Sequence, residues 1–374
     1  MARLMPGIAG GRHDGVTVYN GTAAMSYFRP TVDALRAYEP GEQPPPEADI
    51  VKLNTNENPY PPSPQALAAL REIDHERLRR YPDPFASEFR LSAAEVLGIE
   101  PDTILVGNGS DDILTMLIRS VADGARAVAY PVPTYALYRT LAEIQGAPVA
   151  EVRSDETYAL PLDTLAATGA PLTLVASPNS PSGRRVSNDL IRDLASRVDG
   201  ILAIDEAYVD FATGDALELA QSCDNVVVIR TLSKSHSLAG LRLGFAVASP
   251  AVIAGLAKVK DSYNVDAVAA RVGAAAYRDV VYTRDAVARI CASREGLTNN
   301  LSALGFHVWP SEANFVLVRP ANGNARDVYE GLKSRGILVR YFDVRGLDDK
   351  LRITVGTESQ NDRLVATLKS LASL

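Results

Sequence analysis

The chain has 374 residues, a length typical of two or three domains of about 150 residues each. Hydrophobic residues make up 47% and charged residues 22% of it, which is typical of a globular protein and excludes a disordered chain. The net charge of −7 gives no electrostatic basis for binding nucleic acid or an anionic membrane. We therefore expect small molecules as partners.

The sequence shows no clear targeting signal, and its two cysteines do not indicate a metal site or a set of disulfides. No apolar run approaches the roughly 18 residues of a membrane-spanning helix. The N-terminal segment makes a poor signal peptide because Pro6 interrupts its short apolar patch. Cys223 and Cys291 lack metal-ligand spacing and cannot form a disulfide framework. We expect a cytoplasmic protein without a metal site.

Up to about residue 250, a proline-rich start is followed by alternating strand and helix patterns. Proline-rich stretches at 40–46 and 59–64 predict an extended arm. Ser63 and Pro64 then predict the N-cap and first turn of a helix over 65–72. Short β-branched runs alternating with helices predict crossover units in a mostly parallel sheet. The strands are expected at 103–106, 127–130, 172–176, 201–204, 226–229 and 244–248, and the helices at 110–121, 135–145 and 188–197.

The pattern changes after residue 251 and predicts a smaller α+β domain. A long helical tract comes first, and short strands and two further helices follow it. Strands are expected at 306–309, 315–318, 338–341 and 351–355, and helices at 282–304, 325–334 and from about 359.

Polar segments follow several predicted strands, at the edge where open parallel sheets bind ligands. The Gly-Asn-Gly-Ser-Asp turn at 107–111 opens a helix, whose N–H groups can hold a phosphate. Asp205 ends a buried run, where a carboxylate needs a cationic partner. Lys234 follows Ser233 after another run, and Arg242, eight residues later, could clamp the same phosphate.

Each of these features alone has an ordinary explanation as a helix cap, an ion pair or a solvated charge. Together they fit a ligand with a phosphate, a protonated ring nitrogen, a phenolic oxygen and an aldehyde, which is pyridoxal phosphate. Neither the dinucleotide fingerprint nor the phosphate loop of nucleotide hydrolases occurs in the sequence. A nicotinamide-dependent dehydrogenase is therefore a poor alternative.

The sequence resembles the histidinol-phosphate aminotransferase family, a group of fold-type I, class-II pyridoxal-phosphate-dependent aminotransferases. The resemblance extends from about Tyr27 to the end of the chain. The matching segments are LNTNENPY (53–60), GSDD (109–112), PVPTY (131–135), SPN (177–179), DEAY (205–208), TLSK (231–234), LAGLR (238–242) and LRITVG (351–356).

The resemblance implies an α/β fold with a large and a small domain. The large domain would hold a mostly parallel seven-stranded sheet sandwiched by helices, and the small C-terminal domain would be α+β. We place an N-terminal extension and arm at 1–52, the cofactor-binding domain at 53–265 and the small domain at 266–374. A homodimer with active sites at the subunit interface is also implied.

The resemblance assigns a role to each polar residue around the cofactor ring. Lys234 would form the Schiff base and then shuttle a proton. Asp205 would pair with the ring nitrogen, while Asn179 and Tyr208 would hydrogen-bond the phenolic oxygen. Tyr135 would stack on the ring. The catalytic residues are thus Lys234, Asp205 and Tyr208.

The cofactor phosphate would be held by residues from three segments and two subunits. The backbone of Ser110 and Asp111 would bind it together with Ser233 and Arg242. The family also has a tyrosine that reaches this phosphate from the neighbouring subunit, and Tyr60 matches it.

Three residues are implied to bind the substrate. Arg352 matches the arginine that binds the anionic end of the amino donor, and Arg340 and Tyr38 match two further substrate-binding positions. His236 departs from the family pattern because an aromatic residue usually stands there. We interpret it as a structural histidine rather than a proton shuttle.

The implied function is amino transfer between histidinol phosphate or imidazole-acetol phosphate and 2-oxoglutarate or glutamate, a step of histidine biosynthesis. An aromatic amino acid aminotransferase, acting on phenylalanine or tyrosine, is the main alternative. A threonine-phosphate decarboxylase-like enzyme is a further one. A cofactor-binding protein without catalytic activity is another alternative. The presence of Lys234 argues against it, because such a protein would not need this lysine.

Overall fold

The computed structural model describes residues 26–35, 41–45 and 48–372 of the chain. Tyr38, one of the predicted substrate-binding residues, lies outside these residues. Within them no helix combines the length and the apolar character that crossing a bilayer requires.

The strands of the described segments fall into two sheets. In chain order they are β1 (Val51–Leu53), β2 (Ile104–Gly107), β3 (Val128–Val132), β4 (Val149–Arg153), β5 (Leu172–Ala176), β6 (Ile201–Asp205), β7 (Val226–Thr231), β8 (Gly244–Val247), β9 (His307–Val308), β10 (Phe315–Arg319), β11 (Ile337–Tyr341) and β12 (Leu351–Thr354).

The α-helices cover both sheets. They are α1 (Pro30–Asp33), α2 (Pro64–Arg71), α3 (His75–Leu78), α4 (Ser87–Leu97), α5 (Ser110–Val121), α6 (Leu137–Gln145), α7 (Leu162–Ala166), α8 (Asn188–Arg197), α9 (Leu217–Ser222), α10 (Pro250–Ala257), α11 (Ala267–Arg278), α12 (Val280–Ala303), α13 (Ala325–Lys333) and α14 (Glu358–Ala372).

The larger sheet has seven strands in the order β2-β8-β7-β6-β5-β3-β4. Only β8 runs against its neighbours, since it pairs antiparallel with β2 and β7 while the other pairs are parallel. Helices cover both faces, so alternate residues of one strand enter different cores. Val226 and Val228 of β7 pack into one, Val227 and Ile229 into the other. The predicted α/β fold with a mostly parallel seven-stranded sheet is therefore confirmed.

The smaller sheet combines strands from the two ends of the chain in the order β1-β11-β12-β10-β9. Strand β1 pairs parallel with β11, and the remaining pairs are antiparallel. Helices α12, α13 and α14 cover one face, with Ile290, Leu332 and Leu364 in a common core.

The packing bears on the domain limits at 53 and 266, which stay a prediction. Strand β1 spans the first limit and belongs to the smaller sheet. Helix α11 lies just after the second and packs against α2 and α4, with Val272 in the same core as Phe89 of the large unit. The contacts of both segments thus extend across the limits that the sequence suggested.

Candidate active site

A cleft of about 860 Å³ lies between the ends of the larger sheet's strands and the smaller sheet. Most of the predicted site residues line it. They are Ser110, Asp111, Tyr135, Asp205, Tyr208, Ser233, Lys234, Arg242, Arg340 and Arg352. Sequence positions more than 240 residues apart are therefore brought to one cavity, as expected for the carboxyl edge of an open sheet.

Asp205 is the last residue of β6 and is 6% exposed. Its Oδ2 accepts a hydrogen bond of 2.7 Å from the hydroxyl of Tyr138, and its Oδ1 accepts one of 3.1 Å from the backbone N–H of Ala207. Burial raises the pKa of the Asp205 carboxyl to about 6, against the opposing effect of these two bonds. A cationic ligand group in the cleft would stabilise the ionised form.

Lys234 lies in the loop after β7 and extends its amine into the cleft. Its Nζ donates to the backbone carbonyl of Thr55 at 3.3 Å. The side-chain amide of Asn58 donates to the carbonyls of Lys234 and Ser235, at 3.1 and 3.0 Å. The segment after β1 therefore fixes both the backbone and the amine of this lysine.

The Tyr208 hydroxyl is oriented by a residue that the sequence did not single out. It accepts a hydrogen bond of 2.9 Å from the side-chain amide of Asn56. Because that bond uses an oxygen lone pair, the hydroxyl hydrogen can be donated to a ligand. The Tyr208 ring is fixed edge-on against Phe315, with centroids 5.0 Å apart.

Asn179 does not line the cleft. Its Oδ1 accepts from the Thr134 hydroxyl at 2.7 Å, while its Nδ2 donates to the Pro133 carbonyl at 3.1 Å and to Ser182 Oγ at 3.0 Å. The amide is thus bonded within its own surroundings, and its predicted bond to a phenolic oxygen stays a prediction.

The start of α5 forms a concave surface of backbone N–H groups. Among the described residues no side chain caps this helix, and Gly109 precedes it with a φ of 82°. A Cβ on Gly109 would lie 2.8 Å from Arg242 Nη2, and one on Gly244 would lie 2.5 Å from the Ser110 nitrogen. Glycine is therefore favoured at 109 by its positive φ and at 244 by the close approach of the Ser110 backbone.

Two side chains complete this concave surface. Arg242 Nη2 lies 3.1 Å from Asp111 Oδ2 and can turn to an anion bound at the helix start. Ser233 Oγ accepts a bond of 2.9 Å from the Thr231 hydroxyl, which leaves the Ser233 hydrogen to donate. The Tyr135 hydroxyl, 3.3 Å from Asp111 Oδ1, anchors its ring at the cleft wall.

Arg340 and Arg352 stand directly opposite each other on β11 and β12. Like charges in a cross-strand pair are destabilising unless an anion lies between them. Arg352 donates to Ser180 Oγ at 2.9 Å and to the Asn54 carbonyl at 2.8 Å. Arg340 lies over the ring of Phe342, 5.4 Å from its centroid. Both arginines line the cleft, so this end of it carries two positive charges.

Tyr60 lies apart from the cleft of its own chain. Its ring packs at the edge of the small core, with the Arg289 guanidinium 3.8 Å from its centroid. Its contact with a phosphate of the neighbouring subunit stays a prediction.

His236 is packed against other side chains. Its ring stacks on Tyr277 with centroids 5.2 Å apart. The Ser235 hydroxyl donates to Asp210, so its 2.9 Å bond with His236 Nδ1 requires an N–H on that nitrogen. Burial lowers the pKa of His236, which favours the neutral ring of a structural residue.

Known proteins resemble this chain in sequence and in fold. The sequence profile of the family described as "Aminotransferase class I and II" matches residues 48–368. Histidinol-phosphate aminotransferase 1 of Trichormus variabilis is 55% identical over 346 residues, which cover 92% of this chain and 99% of that protein. The histidinol-phosphate aminotransferase of Rhodopirellula baltica is 45% identical over 337 residues, covering 90% and 93%.

Solved structures match the whole fold. The histidinol-phosphate aminotransferase from Sinorhizobium meliloti, in complex with pyridoxal-5'-phosphate, superimposes with a TM-score of 0.84 at 26% identity, over 93% of this chain and 99% of that one. The same enzyme from Clostridium acetobutylicum gives a TM-score of 0.81 at 22% identity, over 87% and 99%, which shows the fold alone.

Proposed function

The chain belongs to the histidinol-phosphate aminotransferase family, a pyridoxal-phosphate-dependent family, and we propose that it transfers an amino group between histidinol phosphate and 2-oxoglutarate. The products in this direction are imidazole-acetol phosphate and glutamate. The proposal places the enzyme in histidine biosynthesis and gives it pyridoxal phosphate as cofactor.

The residues of the cleft fit each polar group of pyridoxal phosphate. The glycine-bordered start of α5, with Ser233 and Arg242, suits the phosphate. Asp205 is a buried acceptor that suits a protonated ring nitrogen. Tyr208 has a hydrogen to donate to a phenolic oxygen, and Lys234 presents an amine for an aldehyde. The fit rests on the donors and acceptors of this chain.

When bound, the cofactor supplies an aldehyde and an electron-withdrawing ring. Asp205 would keep the ring nitrogen protonated, and Tyr208 would donate to the phenolic oxygen. Lys234 would move a proton on its Nζ, taking it from the amine-bearing carbon of the substrate as a general base and delivering it to the aldehyde carbon of the cofactor as a general acid. The carbonyl of Thr55, which accepts from this Nζ, would hold the free amine in the cleft before the cofactor binds.

The observation that carries the choice of substrate is the cross-strand pair of Arg340 and Arg352. Two arginines at facing strand positions that both line the cleft match the two negative charges of a phosphate monoester, and each guanidinium can donate N–H···O bonds to it. A single carboxylate of glutamate can use the same pair, which a two-substrate cycle requires.

We also propose a homodimer with active sites at the subunit interface. A group of exposed large side chains supports it: Leu78 is 64% exposed, Tyr81 82%, Phe85 46% and Tyr263 46%, and the two tyrosine rings stack 4.6 Å apart. Sedimentation should give twice the mass of the chain, and Leu78→Glu should weaken the association. A cytoplasmic location remains a prediction from the sequence.

The substrate assignment is tested with the purified protein and added pyridoxal phosphate. We expect a yellow protein whose colour bleaches with histidinol phosphate and returns with 2-oxoglutarate. Good turnover of phenylalanine or tyrosine without histidinol phosphate would favour an aromatic aminotransferase instead. Release of carbon dioxide from threonine phosphate would favour the decarboxylase, and an unresponsive colour would indicate binding without catalysis.

A further inference from the structure

We propose that Tyr138 is a positioning residue for the amino-transfer reaction, which holds the Asp205 carboxylate as an anion aimed at the ring nitrogen of the cofactor. The reaction that this residue serves is the one given under the proposed function, on which the inference rests. Its positioning role is inferred from the geometry of one buried hydrogen bond. This tyrosine lies just after the PVPTY segment (131–135), outside the motifs that indicate the site.

Tyr138 lies in the first turn of α6 and is 0% exposed. Its hydroxyl donates to Asp205 Oδ2 at 2.7 Å, the length of a charge-assisted bond to a carboxylate. The ring is fixed by edge-to-face contacts with Tyr130 and Tyr135, whose centroids lie 5.8 and 5.7 Å away. A ring held in this way aims its hydroxyl at one acceptor.

The hydroxyl acts only as a donor towards Asp205. Burial and the neighbouring carboxylate raise the pKa of Tyr138 well above its usual value, so the phenol keeps its hydrogen. With Ala207 N–H on Oδ1 and Tyr138 on Oδ2, each carboxylate oxygen receives one bond and keeps a lone pair. One of these lone pairs can accept the N–H of a protonated ring.

Two other charged groups near Asp205 have opposite effects on the pKa of its carboxyl. Asp111, on α5, raises the pKa of the Asp205 carboxyl, and Lys234, in the loop after β7, lowers it. Tyr138 is therefore the main side-chain contact that favours the anion at this buried position. Phenylalanine would fill the same volume and remove only the hydrogen bond.

The test compares Tyr138→Phe with Tyr130→Phe in the full-length protein. Tyr130 is an ideal control because its ring touches the ring of Tyr138 while its hydroxyl binds Glu151 at 3.1 Å. In the cofactor-free protein, infrared titration of the Asp205 carboxyl should show a pKa about one unit higher in Tyr138→Phe than in wild type. Tyr130→Phe should leave it unchanged.

Two further measurements connect this bond to the reaction. The Kd for pyridoxal phosphate should rise about tenfold in Tyr138→Phe, and kcat should fall by about tenfold or more with little change in KM for histidinol phosphate. If the Asp205 pKa and the cofactor Kd of Tyr138→Phe equal those of Tyr130→Phe, the proposal is overturned. If the wild-type protein has no transaminase activity but Tyr138→Phe still raises the Asp205 pKa, the assigned reaction is wrong and the role of the hydrogen bond is retained.

Discussion

Asn56 donates its side-chain amide hydrogen to the hydroxyl of Tyr208 at 2.9 Å, and both residues sit where the two sheets meet. Asn56 is 1% exposed and has a left-handed backbone with a φ of 57°. Thr354 bonds to its backbone nitrogen and its Oδ1, and Asn314 donates to its carbonyl at 2.9 Å. Through Asn56, the smaller sheet therefore orients the side chain of Tyr208, which follows strand β6 of the larger sheet.

Replacing Asn56 with glycine should weaken cofactor binding without disturbing the backbone, because glycine accepts a positive φ. We expect the Kd for pyridoxal phosphate to rise roughly five- to tenfold, the effect of losing one hydrogen bond. Tyr208→Phe removes the hydroxyl on which Asn56 acts, so the double variant should bind little more weakly than Tyr208→Phe alone. Additive losses measured by fluorescence titration would show that the two side chains act separately.

Lys234→Ala should abolish turnover while the protein keeps its fold, since the side chain points into the cleft and its loop is held through the backbone by Asn58. Activity and circular dichroism melting measure the two effects. The exposed Lys258, at the end of α10, supplies the control Lys258→Ala. Borohydride reduction in the presence of pyridoxal phosphate should label the peptide that contains Lys234, and a label elsewhere would refute its role.

Arg352→Gln should act mainly on the binding of anionic substrates. We expect KM for histidinol phosphate to rise by about 10- to 100-fold, because a charge-assisted pair with the phosphate is lost. Histidinol without its phosphate should respond much less. Arg335→Gln, a change just before β11 outside the cleft, is the control. An unchanged KM would remove Arg352 from the substrate site.

The stability of the cofactor-free protein should depend on pH through Asp205. Burial raises its folded pKa to about 6 from 3.8, so its contribution to stability is present below about pH 4 and is lost as the pH rises through 6. Asp205→Asn cannot ionise. Its free energy of unfolding, relative to wild type, should therefore increase by up to about 3 kcal/mol between pH 4 and pH 8. Denaturant titrations at several pH values measure this, and a constant difference would contradict the raised pKa.

Much of the fold could be predicted from local patterns. The helix at 110–121, the helix at 188–197 and the strand at 172–176 have the predicted limits, and Ser63 caps α2 by accepting from the Ala66 nitrogen. Strands β1 and β4 were not predicted. Strand β1 has only three residues, and β4 lies at the sheet edge with mixed exposure, so neither shows the apolar run of a central strand.

The candidate site also has a part that could be predicted from the sequence and a part that could not. Motifs at strand ends predicted the residues that line the cleft, because chain direction fixes where such ends meet. The contacts of Tyr138 and Asn56 could not be predicted, since each partner lies at least 67 residues away and depends on tertiary packing. The facing position of Arg340 and Arg352 depends on strand register, which no local motif encodes.

The position of β1 in the smaller sheet bears on how the protein is made. Residues 51–53 leave the ribosome early, yet their partner β11 begins at Ile337. At about 5 to 20 residues per second, the nascent chain spends many seconds with this strand unpaired. The seven-stranded sheet can assemble first, while the segment that carries Thr55 and Asn56 waits until β11 has been synthesised. The cleft that this segment lines is therefore completed only after the larger sheet can form.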